Sequence, residues 1–292
     1  MDYINLYAKF LKRSLKPKRP LRVILDCSNG TTGLVLEKLL KGNKLIDYKL
    51  INAKPDGNFP AHGPNPLLRG ATTQLEWEVK KNKADLGIIF DADGDRVFFV
   101  DDRGRLTDAH EIGFALMKMF KPPYVVSTIA SWRLKKVRGA VISPVGHYFF
   151  KNIMRKKNAS VGLEHSGHFY FKDFFYCDSG ILSAVMIMNF ISELEGGLAD
   201  WLDALPKYYR SGEINFKVSD KKVMLEKIRK IHNAKASKIS NLDGLTLEFG
   251  GDYWMNVRPS NTENLLRLNV EARTKKILET ELKKIRKVII LK

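Results

Sequence analysis

Six residues constrain this chain more than any others: Asp91-Ala92-Asp93-Gly94-Asp95-Arg96. An apolar run, Leu86-Gly87-Ile88-Ile89-Phe90, precedes them and a second, Val97-Phe98-Phe99-Val100, follows. Runs this short and this rich in β-branched and aromatic residues predict buried strands, so the six residues form a tight loop between two strands. The loop holds three carboxylates at alternate positions, and small Ala92 and Gly94 let its backbone curl toward a ligand. Like charges this close repel one another unless a cation joins them. An oxygen-only donor set suits Mg²⁺, and Arg96 adds a fork-shaped donor suited to phosphate. The same residues also fit an acidic surface turn, and the loop alone leaves both readings open. An EF-hand is a poor fit, because the twelfth position from Asp91 is Asp102 and not glutamate.

A length of 292 residues suggests two or three domains, and a hydrophobic fraction of 44% is ample for packed cores. No apolar run reaches membrane-spanning length, and Met-Asp-Tyr-Ile-Asn does not read as a signal peptide. Cys27 and Cys177 lie far apart without metal-like spacing, as expected of buried or free thiols in a reducing cytoplasm. The formal net charge of +18 admits nucleic acid, an anionic membrane or anionic small substrates as partners. Much of the excess lies on helix-like segments, Lys221–Lys230 and Lys275–Lys287, which read as solvated faces. No basic motif with interleaved aromatics supports nucleic-acid binding.

In chain order, Ile4–Leu15 is expected as a helix and Leu21–Asp26 as a strand. Cys27–Gly33 is a glycine-containing turn into a helix over Leu34–Leu40, with Ser28 placed to cap it. His62 sits in a long loop dense in Gly, Pro and Asn and reads as a surface histidine; a helix through Leu75–Lys81 follows. Asp101–Arg105 reads as a hairpin-type turn with solvated carboxylates, and a domain boundary is expected just after it. Beyond it, helices are expected at Ile112–Phe120, Ser131–Val137 and Tyr148–Arg155, with strands at Tyr124–Ile129, Ala140–Ser143 and Ser160-Val161. Gly162-Leu163-Glu164-His165-Ser166-Gly167-His168 then packs a carboxylate, a hydroxyl and two imidazoles ahead of the strand-like Phe169-Tyr170-Phe171. Such a cluster suits recognition of sugar hydroxyls, or metal binding. Ile181–Leu194 is a core helix. In the last part, Glu213–Val218, Leu245–Phe249 and Leu265–Val270 read as strands, and Val223–Ile231 and Ile277–Val288 as helices. Arg258 and Arg267 flank the hydroxyl- and amide-rich Ser260-Asn261-Thr262, a composition that suits phosphate as well as an ordinary turn.

In this order the Asp91–Arg96 loop, the Gly-Leu-Glu-His-Ser-Gly-His segment and Arg-Pro-Ser-Asn-Thr-Glu resemble the α-D-phosphohexomutases of the bacterial phosphomannomutase and phosphoglucomutase type. Pro55–Pro60, Asn65–Leu68, Tyr176–Gly180 and Ser211–Asn215 carry the likeness along nearly the whole chain. The resemblance implies two consecutive α/β domains, 1–106 and 107–208, and a smaller α+β domain like the TATA-binding-protein fold, 209–292. It implies Mg²⁺ on Asp91, Asp93 and Asp95, with Arg96 near the transferred phosphoryl group. Glu164 and Ser166 would contact sugar hydroxyls beside His168, and His147 would line the cleft. Arg258, Ser260, Asn261 and Thr262 would grip the non-reacting phosphate, with Arg267 in support. The implied substrates are mannose or glucose 1- and 6-phosphates, interconverted by phosphoryl transfer.

The departures bear on mechanism. The 292 residues contain no Thr-Ala-Ser-His-Asn-Pro-like segment, which carries the family's phosphoserine, and Met1 falls where its second domain begins. Ala92, Leu163 and Asn264 stand where glycine, glycine and proline are usual, and Ile129 where some relatives have lysine. Three functions therefore remain open. The chain is a mutase fragment or split-enzyme half that needs a separate first-domain polypeptide, a non-catalytic Mg-dependent sugar-phosphate binder, or, on charge alone, a nucleic-acid binder.

Overall fold

The computed structural model describes residues 2–260 and 263–290. Helix α1 (Tyr3–Ser14) is capped by Asp2, whose carboxylate accepts from the Asn5 amide. Strand β1 (Leu21–Asp26), helix α2 (Thr32–Leu40), strand β2 (Ile46–Ile51), helix α3 (Thr73–Asn82) and strands β3 (Leu86–Phe90) and β4 (Val97–Val100) follow. They build a four-stranded sheet of order β2-β1-β3-β4, in which β1 pairs parallel with β2 and β3, and β4 runs antiparallel to β3. Both β3 and β4 are buried along their whole length, as unbroken apolar runs require. Phe90 faces Val97 in register, so Asp91–Arg96 is the connection between two core strands.

Three local expectations are corrected. Ser28 does not cap α2; its hydroxyl donates to the Phe90 carbonyl. The His62 side chain is only 8% exposed and pairs with the buried Asp26 carboxylate at 3.2 Å. Asp101 is 1% exposed rather than solvated, because it accepts from the Arg103 and Arg105 amides and from Arg105 Nε at 2.7 Å.

The second sheet begins after helix α4 (Ala109–Met119). Its elements are β5 (Tyr124–Ser127), α5 (Trp132–Lys135), β6 (Ala140–Ser143), α6 (His147–Lys157), β7 (Val161–Leu163), β8 (Phe169–Phe171) and β9 (Cys177–Asp178). The strand order is β6-β5-β7-β8-β9; β5 and β7 are parallel, and β7, β8 and β9 run antiparallel in turn. Helix α7 (Gly180–Ser192), capped by the Ser179 hydroxyl, buries twelve of its thirteen residues, and α8 (Leu198–Asp203) follows.

The last sheet is wholly antiparallel. Strands β10 (Tyr209–Arg210) and β11 (Ile214–Lys217) precede helix α9 (Lys221–His232). Strands β12 (Lys238–Ser240), β13 (Leu245–Phe249), β14 (Tyr253–Pro259) and β15 (Leu265–Ala272) precede helix α10 (Lys275–Ile290). Their order is β10-β15-β14-β13-β12, with β11 also on β15. Ile228 of α9 and Leu278, Ile285 and Ile289 of α10 pack with Leu245, Leu247, Val257, Leu266 and Leu268 of the sheet. The lysines at 222, 230, 275, 276, 283, 284 and 287 are exposed, as expected of solvated faces.

The architecture is thus two α/β sheets in succession followed by a smaller α+β layer. The chain divides into two compact units: Met1–Val126 with Trp132–Val141 and Phe150–Leu205, and Pro206–Lys292 with Ser127–Ser131 and Ile142–Phe149. Among the described residues no helix is long and apolar enough to cross a membrane.

Candidate active site

In the first unit the Asp91–Arg96 loop is shaped by its own first carboxylate. Asp91 Oδ1 accepts from the Gly94 and Arg96 amides, both at 3.1 Å, and Oδ2 accepts from Arg96 Nε at 2.6 Å. Gly94 has φ +78°, and an added Cβ would lie 2.4 Å from Thr32 Cγ2, so glycine is required there. Behind the loop, the Ala92 carbonyl accepts from the Thr31 amide at 3.0 Å. Gly30 approaches so closely that a Cβ would meet that carbonyl oxygen at 2.2 Å. The turn at 27–33 therefore works as a backstop for the acidic loop. The Ala92 amide donates to Pro64, the Gly94 carbonyl accepts from Gly180, and Arg96 Nη1 reaches Asn65 Oδ1 at 3.3 Å. Ala92 and Leu163 replace customary glycines without strain, since neither has positive φ.

The second loop joins the first. Arg96 and His168 form an isolated antiparallel bridge, and the Val97 amide donates to Gly167. His168 Nε2 lies 3.5 Å from Asp95 Oδ1, and its Nδ1 is 2.8 Å from Ser166 Oγ and 3.7 Å from Glu164 Oε2. Burial pulls the His168 pKa down, but the Asp95 hydrogen bond and the charges of Asp95, Glu164 and Asp178 outweigh it, and the net shift is upward. Glu164 is 3% exposed and accepts from the Tyr170 hydroxyl at 3.0 Å. Tyr170, given no role from sequence, is held neutral by burial and by that carboxylate.

The carboxylates of Asp91, Asp93 and Asp95 offer oxygens that all lie within 4.8 Å of one another, grading from buried Asp91 to exposed Asp93. Burial pushes the Asp91 carboxyl up to about 6; Arg96 pulls the other way, and Asp95 adds to the rise. An oxygen-only cluster in which one carboxylate resists ionisation is short of positive charge, and a hard divalent cation fits it.

In the second unit, Arg258 of β14 and Arg267 of β15 stand directly opposite each other in register. Glu213 bridges them, accepting from Arg258 Nη2 at 2.7 Å and Arg267 Nη1 at 3.3 Å. Ser260 is 4% exposed; its carbonyl accepts from Lys221 Nζ at 2.9 Å, and Asp243 Oδ2 lies 3.9 Å from Arg258 Nη1. Arg258 Nε, Arg267 Nε and Ser260 Oγ are buried with no hydrogen-bond partner among the described residues. Asn261 and Thr262 lie outside the described residues. His147 opens α6 in this unit and is exposed. Glu213 and Lys221 were not singled out from sequence; the only signal for Glu213 was its place in the family-like Ser211–Asn215 stretch.

Family models for the phosphoglucomutase/phosphomannomutase α/β/α domain II, α/β/α domain III and C-terminal domain match residues 1–104, 121–209 and 213–288. A phosphomannomutase of Methanocaldococcus jannaschii is 35% identical over 300 residues, covering 99% of this chain and 66% of its own length. The chain spans less than two thirds of the length of the curated relatives it matches. Among solved structures, a phosphoglucomutase/phosphomannomutase family protein from Burkholderia thailandensis superposes with a TM-score of 0.85 at 24% identity, covering 98% of this chain and 64% of that one. An N-acetylphosphoglucosamine mutase from Aspergillus fumigatus, solved with GlcNAc-6P and magnesium, has a TM-score of 0.69 at 15% identity, covering 98% and 69%. Both superpositions speak to the fold alone. With three domain models matched in succession along nearly its whole length, the chain belongs to the phosphoglucomutase/phosphomannomutase family.

Proposed function

We propose that this chain provides the metal, sugar and distal-phosphate sites of a mutase that interconverts hexose 1-phosphates and hexose 6-phosphates, with mannose or glucose as the sugar. The observation that carries this is the union of two loops in one unit, where His168 of the Glu164–His168 loop lies 3.5 Å from Asp95 of the acidic loop. In this scheme Asp91, Asp93 and Asp95 hold Mg²⁺. When bound, the ion supplies positive charge against a transferring phosphoryl group. Arg96 orients that group while tied back to Asp91, and His168, poised between Asp95 and Ser166, holds or moves a proton. Glu164 and Ser166 read sugar hydroxyls, and His147 lines the cleft. Arg258, Ser260, Asn261, Thr262 and Arg267 anchor the phosphate that does not react. Each of the segments 1–106, 107–208 and 209–292 then contributes one loop.

Phosphoryl transfer of this kind is positioning plus charge neutralisation, but it also needs a residue that accepts and returns the group. Ser28 is spent on the Phe90 carbonyl, Ser166 on His168, and Ser260 lies in the phosphate loop. In this scheme the residue that accepts and returns the phosphoryl group lies in a first-domain segment or polypeptide outside these 292 residues. The test is conversion of mannose 1-phosphate to mannose 6-phosphate with Mg²⁺. The purified 292-residue chain is expected to show no turnover. A phosphorylated first domain from the Methanocaldococcus relative, supplied in trans, is expected to bring it, and Asp93→Ala to abolish it. Robust turnover without the added domain would refute the separate relay. Binding of hexose phosphates with no turnover in either arm would favour a non-catalytic sugar-phosphate binder.

A further inference from the structure

Two arginines opposite each other on neighbouring strands repel, and a counter-charge between them offsets that cost. Glu213 supplies it, from a position just ahead of β11, with its side chain 24% exposed and those of Arg258 and Arg267 11% and 32% exposed. A carboxylate beside an anion site admits two opposite roles. It can compete, filling the place the phosphate would take, or it can brace the arginines so that their remaining donors point at the ligand.

The distribution of donors separates the two. Glu213 takes one terminal nitrogen from each arginine, Arg258 Nη2 and Arg267 Nη1. The Nε atom of each arginine and Ser260 Oγ stay buried without a partner among the described residues. A guanidinium has five N–H donors in a rigid fork, so one fork can serve a carboxylate and a phosphate at once. Three unspent buried donors call for an acceptor with several lone pairs, as a phosphoryl group has. The fold supports this division: Asn215, two residues on, pairs with Arg267 across β11 and β15, so Glu213 is set against the two arginines by the sheet itself.

We infer that Glu213 is a positioning residue for the phosphate site, which presupposes the distal-phosphate role proposed above. It holds the two guanidinium groups in place and is not displaced by the ligand. The consequence runs against simple charge counting. Removing a negative charge from beside an anion site should tighten anion binding by Coulomb attraction alone, whereas removing a brace should weaken it.

The experiment is calorimetric titration of the full chain with mannose 6-phosphate and with inorganic phosphate. Wild type is compared with Glu213→Ala and with Glu213→Gln, which keeps the shape and one acceptor but not the charge. Glu213→Ala is expected to weaken mannose 6-phosphate binding about tenfold, the equivalent of one lost hydrogen bond to a charged group. Glu213→Gln should recover part of that loss and so exclude misfolding as its source. Unchanged or tighter binding in Glu213→Ala, with wild type binding normally, overturns the positioning role and leaves Glu213 idle or a competitor. Absence of binding by wild type overturns the phosphate site itself, and the brace with it.

Discussion

In the first unit both oxygens of Asp91 have donors, whereas in the second Ser260 Oγ and the Nε atoms of Arg258 and Arg267 have no acceptor among the described residues. Each cluster mixes buried and open groups: Asp91 and Ser260 are buried, while the side chains of Asp95 and Arg267 are 34% and 32% exposed, so the contrast is not one of exposure. Asp91 in the acidic loop has its hydrogen bonds, and the cluster is short of positive charge, since three carboxylates face a single arginine that Asp91 already engages. The arginine loop is short of acceptors. On the proposed reading, a ligand would complete the first cluster by adding charge and the second by accepting hydrogen bonds. A carboxylate loop with the amides of Asp91, Ala92, Gly94 and Arg96 already committed keeps its shape before any ion arrives, while buried donors without acceptors are costly and would be satisfied by binding.

The largest expected effect comes from taking a carboxylate out of the first cluster. Asp93→Ala should weaken Mg²⁺ binding about a hundredfold, the upper end of what even indirect changes around a metal cost, and leave inorganic phosphate binding untouched. Equal Mg²⁺ affinity in variant and wild type, measured by calorimetry, would remove the charge half of the contrast. The reciprocal change is Arg258→Ala. It should cost mannose 6-phosphate about 2 kcal/mol, roughly thirtyfold, with Mg²⁺ affinity unaltered. If the variant binds the sugar phosphate like wild type, the open donors serve something else. Gly30→Ala probes the rigidity of the acidic loop from behind, because its methyl would collide with the Ala92 carbonyl. A loss of about 1–3 kcal/mol in denaturant unfolding is expected, together with weaker Mg²⁺ binding; no change in either would mean the backstop yields.

The smallest effect is a dependence on pH. The hydrogen bond from Asp26 raises the His62 pKa above its ordinary 6.5, so the fold favours the protonated imidazole. That contribution is complete below the unfolded value and fades as pH rises through the folded one. His62→Gln should therefore lower thermal stability at about pH 5 and do less harm at about pH 9. Equal losses at both would assign the role of His62 to packing.

What the sequence made legible was chemistry that lies close together along the chain. Strands β1, β3, β4, β8 and β13 run over the residues expected, because unbroken or alternating apolar runs have few other outcomes. The acidic loop and the Glu164–His168 segment announce themselves by carboxylates and imidazoles a few residues apart. Partners far apart in sequence left no such trace. Strand β2 was missed because Ile46–Ile51 mixes charged and apolar residues along a sheet edge. Asp26 is 36 residues from His62, and Glu213 lies 45 and 54 residues from its arginines, so neither pairing could be read before the strands were in register. Asp101 misled for a related reason: a carboxylate in a turn usually faces water, and its burial depends on how Arg105 folds back over it.

Helix α7 has a consequence for how the acidic loop can be watched. Its first amide, Gly180 N–H, would ordinarily be one of the unclaimed donors at a helix start and would trade its hydrogen with solvent quickly. Here it is committed to the Gly94 carbonyl, at the head of a helix buried over nearly its full length. That proton can leave only when the loop lets go or the helix unravels, and the buried body of α7 makes unravelling the slower route. Deuterium uptake at Gly180 is therefore a clock for the opening of the acidic loop, one that runs without sugar, phosphate or turnover and that, on the proposed metal role, would slow once an ion settles among the aspartates.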